Sequence, residues 1–192
     1  REVYRHPEQF GVRSQEITLV GDSAGGNLAA AVSLMARDRG EFEVAQQILI
    51  YPATYHDHLP DSRFDSVREN GADYLLTAKR VCDYMMLYAG GDPKRMRDPY
   101  FAPLLAPDLS RQPRTLVITA EFDPLRDEGE AYARALRDAG NSVEQYRMPD
   151  ALHGYFSLPV RFPMVRRTYD LIEQFLNGES IACQTINATE KI

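Results

Sequence analysis

Gly21-Asp22-Ser23-Ala24-Gly25-Gly26 follows the apolar run Ile17-Thr18-Leu19-Val20 and precedes a stretch with helical apolar spacing. A serine between a buried strand and a helix, with glycines two positions either side, has the context of a nucleophile elbow. The tight turn strains the backbone at the serine, and the small neighbours let adjoining chain segments come close. The first amides of the following helix, that of Ala24 included, point where an oxyanion would form if Ser23 attacked an acyl carbon. The alternative is a glycine-rich turn that happens to hold a serine.

Outward from this point, strand-like and helical segments alternate. Residues 17–20, 47–51, 115–120 and 142–148 read as strands, the first three mostly apolar as buried parallel strands are. Leu28, Ala31, Val32 and Met35 mark the apolar face of a helix that ends near Gly40. Thr77 can cap a second helix bearing Val81, Tyr84, Met85 and Tyr88. Asp127 and Glu130 have capping-box spacing ahead of a third, with Tyr132, Ala135, Leu136 and Ala139 as its apolar face and Gly140 as its stop. A last helix is expected over 163–176. Such alternation predicts an α/β fold, a mostly parallel sheet flanked by helices. Residues 52–114 read as a Pro- and Asp-rich surface insertion of the same domain, holding one clear helix.

A serine hydroxyl needs a general base, usually a histidine oriented by a carboxylate. Of the four histidines only His153 follows the last strand, where a loop can return it to the strand ends; His6 precedes the elbow, and His56 and His58 lie in the insertion. Asp123 follows the third strand at its carboxyl end, where catalytic groups of open α/β sheets gather. Asp127 is better explained as a helix cap and Glu121 as its neighbour on the strand end. The order Ser23, Asp123, His153 is then that of α/β-hydrolases and differs from the chymotrypsin and subtilisin orders.

Together these motifs resemble the C-terminal part of the bacterial hormone-sensitive-lipase-like esterases, an α/β-hydrolase family. Ser23 matches the serine of the family's GDSAGG elbow, Asp123 the acid of its D-P-L-x-D segment, and His153 the base of its H-G-F-like segment. Tyr51-Pro52, residues 98–104 and Ala139-Gly140 also look like family segments. The resemblance implies a serine carboxylesterase for small, short-acyl esters, working through an acyl-enzyme without metal or organic cofactor. Amide, lactone or acyl-transfer chemistry would use the same three residues.

The family's upstream His-Gly-Gly-Gly oxyanion loop, its cap and the first half of its sheet have no counterpart here, and the chain opens on Arg1 rather than Met. We therefore expect residues 1–178 to be the C-terminal part of a catalytic domain and 179–192 a mobile tail, with strand 17–20 an exposed apolar edge. That edge would suit a homo-oligomer or pairing with an N-terminal part. The absent loop also motivates a different expectation, a non-catalytic small-molecule-binding module or inactive fragment.

The remaining features carry less. A net charge of −6 disfavours nucleic-acid binding through a broad basic surface. No apolar run approaches the ~20 residues that span a bilayer, and two distant cysteines, Cys82 and Cys183, suit the reducing cytoplasm. His56-Asp57-His58 alternate in a polar loop and read as solvated rather than metal-ligating. Tyr84, Met85, Met86 and Tyr88 read as core rather than acyl pocket. Arg126, Arg134 and Arg137 read as partners of acids on their own helix. The Asn187-Ala188-Thr189 sequon carries little weight without a visible secretory signal.

Overall fold

The computed structural model describes residues 1–181. Four strands, β1 (Thr18–Asp22), β2 (Gln46–Ile50), β3 (Arg114–Phe122) and β4 (Val143–Leu152), pair in the order β1-β2-β3-β4 with every pairing parallel. Parallel neighbours require crossovers, and helices supply them. A single helical turn, α1 (Glu2–Arg5), lies ahead of the sheet; α2 (Ala24–Arg39) joins β1 to β2, α5 (Arg126–Asp138) joins β3 to β4, and α6 (Pro163–Leu176) follows β4. The segment between β2 and β3 contributes α3 (Asp65–Asn70) and α4 (Ala78–Tyr88).

Period-two alternation sorts the core into two layers. Ile48, Ile50, Leu116, Ile118, Tyr146 and Met148 face α6, where Val165, Leu171 and Phe175 meet them. The intervening Leu49 and Val117 face the other way, onto Ala30 and Leu34 of α2 and Tyr132 and Leu136 of α5. The sheet thus ends with helices on both faces, and the strand carboxyl ends open toward α4.

Element types agree with the sequence; several faces do not. On α2 the buried residues include Asn27, Ala30, Ala31 and Leu34, whereas Leu28 and Val32 of the expected face are exposed. β2 stops one residue early, because Tyr51 takes a φ of 35° that a strand cannot hold, and β4 runs on to Leu152 through an irregularity opposite Ala120 and Phe122. Residues 52–113 are not a surface excursion. Thr54, His58, Ser66, Phe101 and Ala102 are all buried, and the segment carries two helices rather than one.

Three side-chain expectations change as well. Asp127 does not cap its own helix, whose N-cap is Leu125; its carboxylate accepts the backbone N–H of Ser66, in the first turn of α3, at 2.7 Å. Glu130 instead takes a two-pronged bond from Arg147 on β4 at 2.7 and 2.8 Å, and accepts from Thr119 on β3. Arg126 pairs with Asp127 and with Glu69 of α3, and Arg137 donates to Gln145 of β4, so these arginines tie α5 to other elements. Thr77 caps α4 as expected, accepting from Arg80 N, and Gly140 ends α5 at φ 87°. Ile181 is buried among core residues, its N–H bonded to Glu144, so the expected tail is docked at least to that point. Cys183 and the sequon at Asn187 lie outside the described residues.

β1 is an edge strand of this sheet with Val20 56% exposed, as the apolar-edge expectation held. Among the described residues no helix is long and apolar enough to cross a membrane.

Candidate active site

The elbow is formed at the junction of β1 and α2. Ser23 has φ 54° and ψ −117°, a conformation strained for any residue with a Cβ, and the strain is held by three backbone bonds. Ser23 N donates to Ile50 O at 2.9 Å, while Ser23 O accepts from Asn27 N at 3.1 Å and Ala53 N at 3.4 Å. Steric room is scarce on one side. A Cβ on Gly21 would lie 2.1 Å from Gly25 O, and one on Gly26 would lie 2.9 Å from Pro52 Cβ. Gly25 is different: a Cβ there meets nothing closer than 4.0 Å. The elbow therefore needs Gly25 for the position of its carbonyl, and needs glycine itself at 21 and 26.

The structure brings the three candidate residues into one line. Ser23 Oγ lies 2.8 Å from His153 Nε2, and His153 Nδ1 lies 2.7 Å from Asp123 Oδ2. Asp123 is fully buried at the end of β3; its second oxygen, Oδ1, accepts Leu125 N at 2.8 Å, which fixes the plane of the carboxylate. One carboxylate oxygen of Asp123 thus serves the turn before Pro124, and the other faces the His153 ring. His153 sits just past β4, followed by Gly154 at φ 81°, and its ring lies 4.8 Å from that of Tyr51. Tyr51, whose hydroxyl is pushed to a higher pKa by burial and then by the nearby Asp22 carboxylate, remains a neutral wall for the imidazole. Ala24 opens α2, so its N–H belongs to the first helical turn and has no acceptor within the helix.

Ser23 and His153 open into a largely apolar cavity of about 440 Å³. Its walls include Leu28, Leu75, Val81, Tyr84, Met85 and Tyr88. The expectation that the α4 aromatics are core is thereby corrected. Only Val81 and Met85 of that helix are buried, while Tyr84 and Tyr88 are more than half exposed and line the cavity. Helical spacing identified the face; it could not say whether the face met protein or space.

The expectation of a solvated His58 is likewise corrected. His58 is 2% exposed, and its Nε2 lies 2.5 Å from Glu128 Oε2. Burial alone would lower its pKa, but the Glu128 carboxylate outweighs that and holds it above the ordinary value. Glu128 Oε1 also accepts Thr54 N and Tyr55 N, so one carboxylate anchors the loop that leaves β2 and passes the elbow. Asn27 reinforces this by donating to Ala53 O and Phe101 O. Nothing in local sequence marks Tyr51, Asn27 or Glu128 for these tasks, because their partners are distant in the chain. Among the described residues no group of three or more His, Cys, Asp or Glu is placed to hold a metal ion.

The fold agrees with comparison to known proteins. A family model described as alpha/beta hydrolase fold matches residues 1–157. The chain belongs to the α/β-hydrolase fold family. It is 37% identical over 151 residues to an arylesterase of Saccharolobus solfataricus, covering 79% of this chain and 48% of that protein. It is 35% identical over 152 residues to an ethyl acetate hydrolase of Pseudomonas putida, covering 79% and 46%. The solved structure of a hyperthermophilic esterase from Pyrobaculum calidifontis superposes with a TM-score of 0.81 at 37% identity, covering 92% of this α/β-hydrolase chain and 56% of that one. The chain thus spans about half the length of the relatives it matches.

Proposed function

We propose that this α/β-hydrolase chain carries the catalytic residues of a serine carboxylesterase acting on small esters, with Ser23 as nucleophile, His153 as general base and acid, and Asp123 orienting His153. The observation that carries the reading is the continuous chain of contacts from Ser23 Oγ through the imidazole to Asp123 Oδ2, at 2.8 and 2.7 Å, opening on an apolar cavity. Esterases among the relatives support ester chemistry, and the name of the ethyl acetate hydrolase supports a short acyl group.

In the first half-reaction Ser23 Oγ adds to the ester carbonyl as its proton passes to His153 Nε2. The carbonyl oxygen becomes an oxyanion beside the start of α2, where the Ala24 N–H donates to it. Asp123 keeps Nδ1 protonated and so leaves Nε2 free to accept, and its negative charge stabilises the imidazolium. When the tetrahedral adduct collapses, the C–O bond to the alcohol breaks and the alcohol leaves with the proton from Nε2. Water then attacks the acyl-Ser23 ester, giving its proton to Nε2; that proton returns to Ser23 Oγ as the carboxylic acid departs.

Replacing Ser23 with Ala should lower kcat by about 10⁶-fold, and a fluorophosphonate probe should label wild type at Ser23 alone by peptide mapping. Turnover that survives Ser23→Ala, or a label on another residue, would overturn the assignment.

A further inference from the structure

The cavity beside Ser23 has one charged side chain in its lining that the chemistry does not use, Arg80. No Asp or Glu lines the same cavity. Among the described residues the Arg80 guanidinium has no hydrogen bond, ion pair or ring contact. Its neighbour Lys79, by contrast, is paired with Asp83 one turn along at 2.7 Å.

Arg80 is also in a place where a cation is locally disfavoured. It is the third residue of α4, and the first turn of a helix carries the positive end of the helix dipole. Intrinsic preference would put an acid there. Proteins break such local preferences at functional sites, and among the described residues no partner offsets this one. What disfavours Arg80 at this helix end favours an anion beside it, since the guanidinium and the α4 dipole then act with the same sign. Arg80 is exposed where it lines the cavity, so it can meet an anion entering from solvent, and a guanidinium can hold both oxygens of a carboxylate. The chain as a whole, at −6, repels anions, so a local cation at the cavity is what an anionic substrate would require.

We propose that Arg80 selects esters that carry a second, ionised carboxylate, such as hemiesters of dicarboxylic acids. The inference rests on the esterase reading above. The carboxylate would lie at the α4 side of the cavity while the scissile carbonyl meets Ser23.

The test compares matched pairs of esters on the intact chain. One pair places the charge on the acyl side, p-nitrophenyl hemiglutarate against p-nitrophenyl pentanoate. The other places it on the leaving group, para-acetoxybenzoate against para-tolyl acetate. In at least one pair the ratio of kcat/KM, charged over neutral, should fall about five- to tenfold in R80Q, mainly through KM, and recover in part in R80K. The ratio in wild type should also fall as salt is added. The Tm of R80Q should equal or exceed that of wild type, since the substitution removes a cation from the positive end of α4. Neutral esters turned over with neither ratio sensitive to Arg80 would overturn the inference and leave the esterase reading standing. R80Q lowering both members of each pair equally would mark Arg80 as structural and also overturn it. No turnover of any ester, with Ser23 unlabelled by a fluorophosphonate, would sink the esterase reading and the inference with it.

Discussion

Residues 115–120 of β3 are all buried, covered by α6 on one face and α5 on the other, whereas β1 at the sheet edge leaves Val20 56% exposed and its helix α2 leaves Leu28 50% exposed. Asp123 and His153 grow from the first region and Ser23 from the second. Asp123 and His153 therefore rest on a packed floor, and Ser23 is held by local geometry: three backbone bonds and two crowded glycines. The contrast teaches that a strained residue can be fixed without a deep core beneath it, provided that its own turn leaves no alternative.

The largest expected effect tests the exception within the loose flank. Gly21→Ala drives a Cβ into the Gly25 carbonyl, an atom of backbone that cannot swing aside, and should yield little folded protein. Gly25→Ala meets open space and should cost about 1 kcal/mol or less in urea unfolding. Equal losses from the two would show that the elbow is not held by this packing.

His58→Ala probes the stitching of the packed flank. It leaves the buried Glu128 carboxylate without its cationic partner and should cost about 3–5 kcal/mol. The pH dependence has a definite sign. The folded pKa of His58 lies above its ordinary value because Glu128, and after it Asp57 and Asp123, outweigh the cost of burial. Folding therefore favours the protonated form. The stabilisation from His58 is full below the unfolded pKa of about 6.5 and is lost as pH rises through the folded value. Thermal melts of wild type and His58→Ala across pH 5 to 9 should converge toward high pH; a gap that widens with pH would reverse the assignment.

The smallest effects separate floor from edge. Leu116→Ala on β3 empties space inside a closed layer and should cost about 2–5 kcal/mol. Val20→Thr on β1 should stay within about 0.5 kcal/mol. A Val20→Thr cost approaching that of Leu116→Ala would mean that β1 is covered in solution.

The same division explains what could be read from the sequence. The strand-turn-helix at Ser23, the carboxyl-end position of Asp123 and the loop position of His153 follow from local pattern and chain order, and all three meet in space. The misread features are those whose partners lie elsewhere. Glu128 lies 70 residues from His58, which it buries as its partner, and 74 from Thr54. Asp127 serves a helix 61 residues upstream. For α2 and α4, apolar spacing marks a face without saying what lies against it. Leu28 and Val32 face outward and Tyr84 and Tyr88 line a cavity for the same reason, since periodicity reports composition around an axis and not occupancy beside it.

Strand order here is also chain order, β1 through β4 side by side. A sheet of this kind can be laid down progressively as the polypeptide emerges from the ribosome, each strand finding its neighbour already in place. The contact between Ser23 and His153, however, spans 130 residues and closes only after β4 has docked. Every shorter nascent intermediate therefore holds the strained Ser23 without its contact to His153.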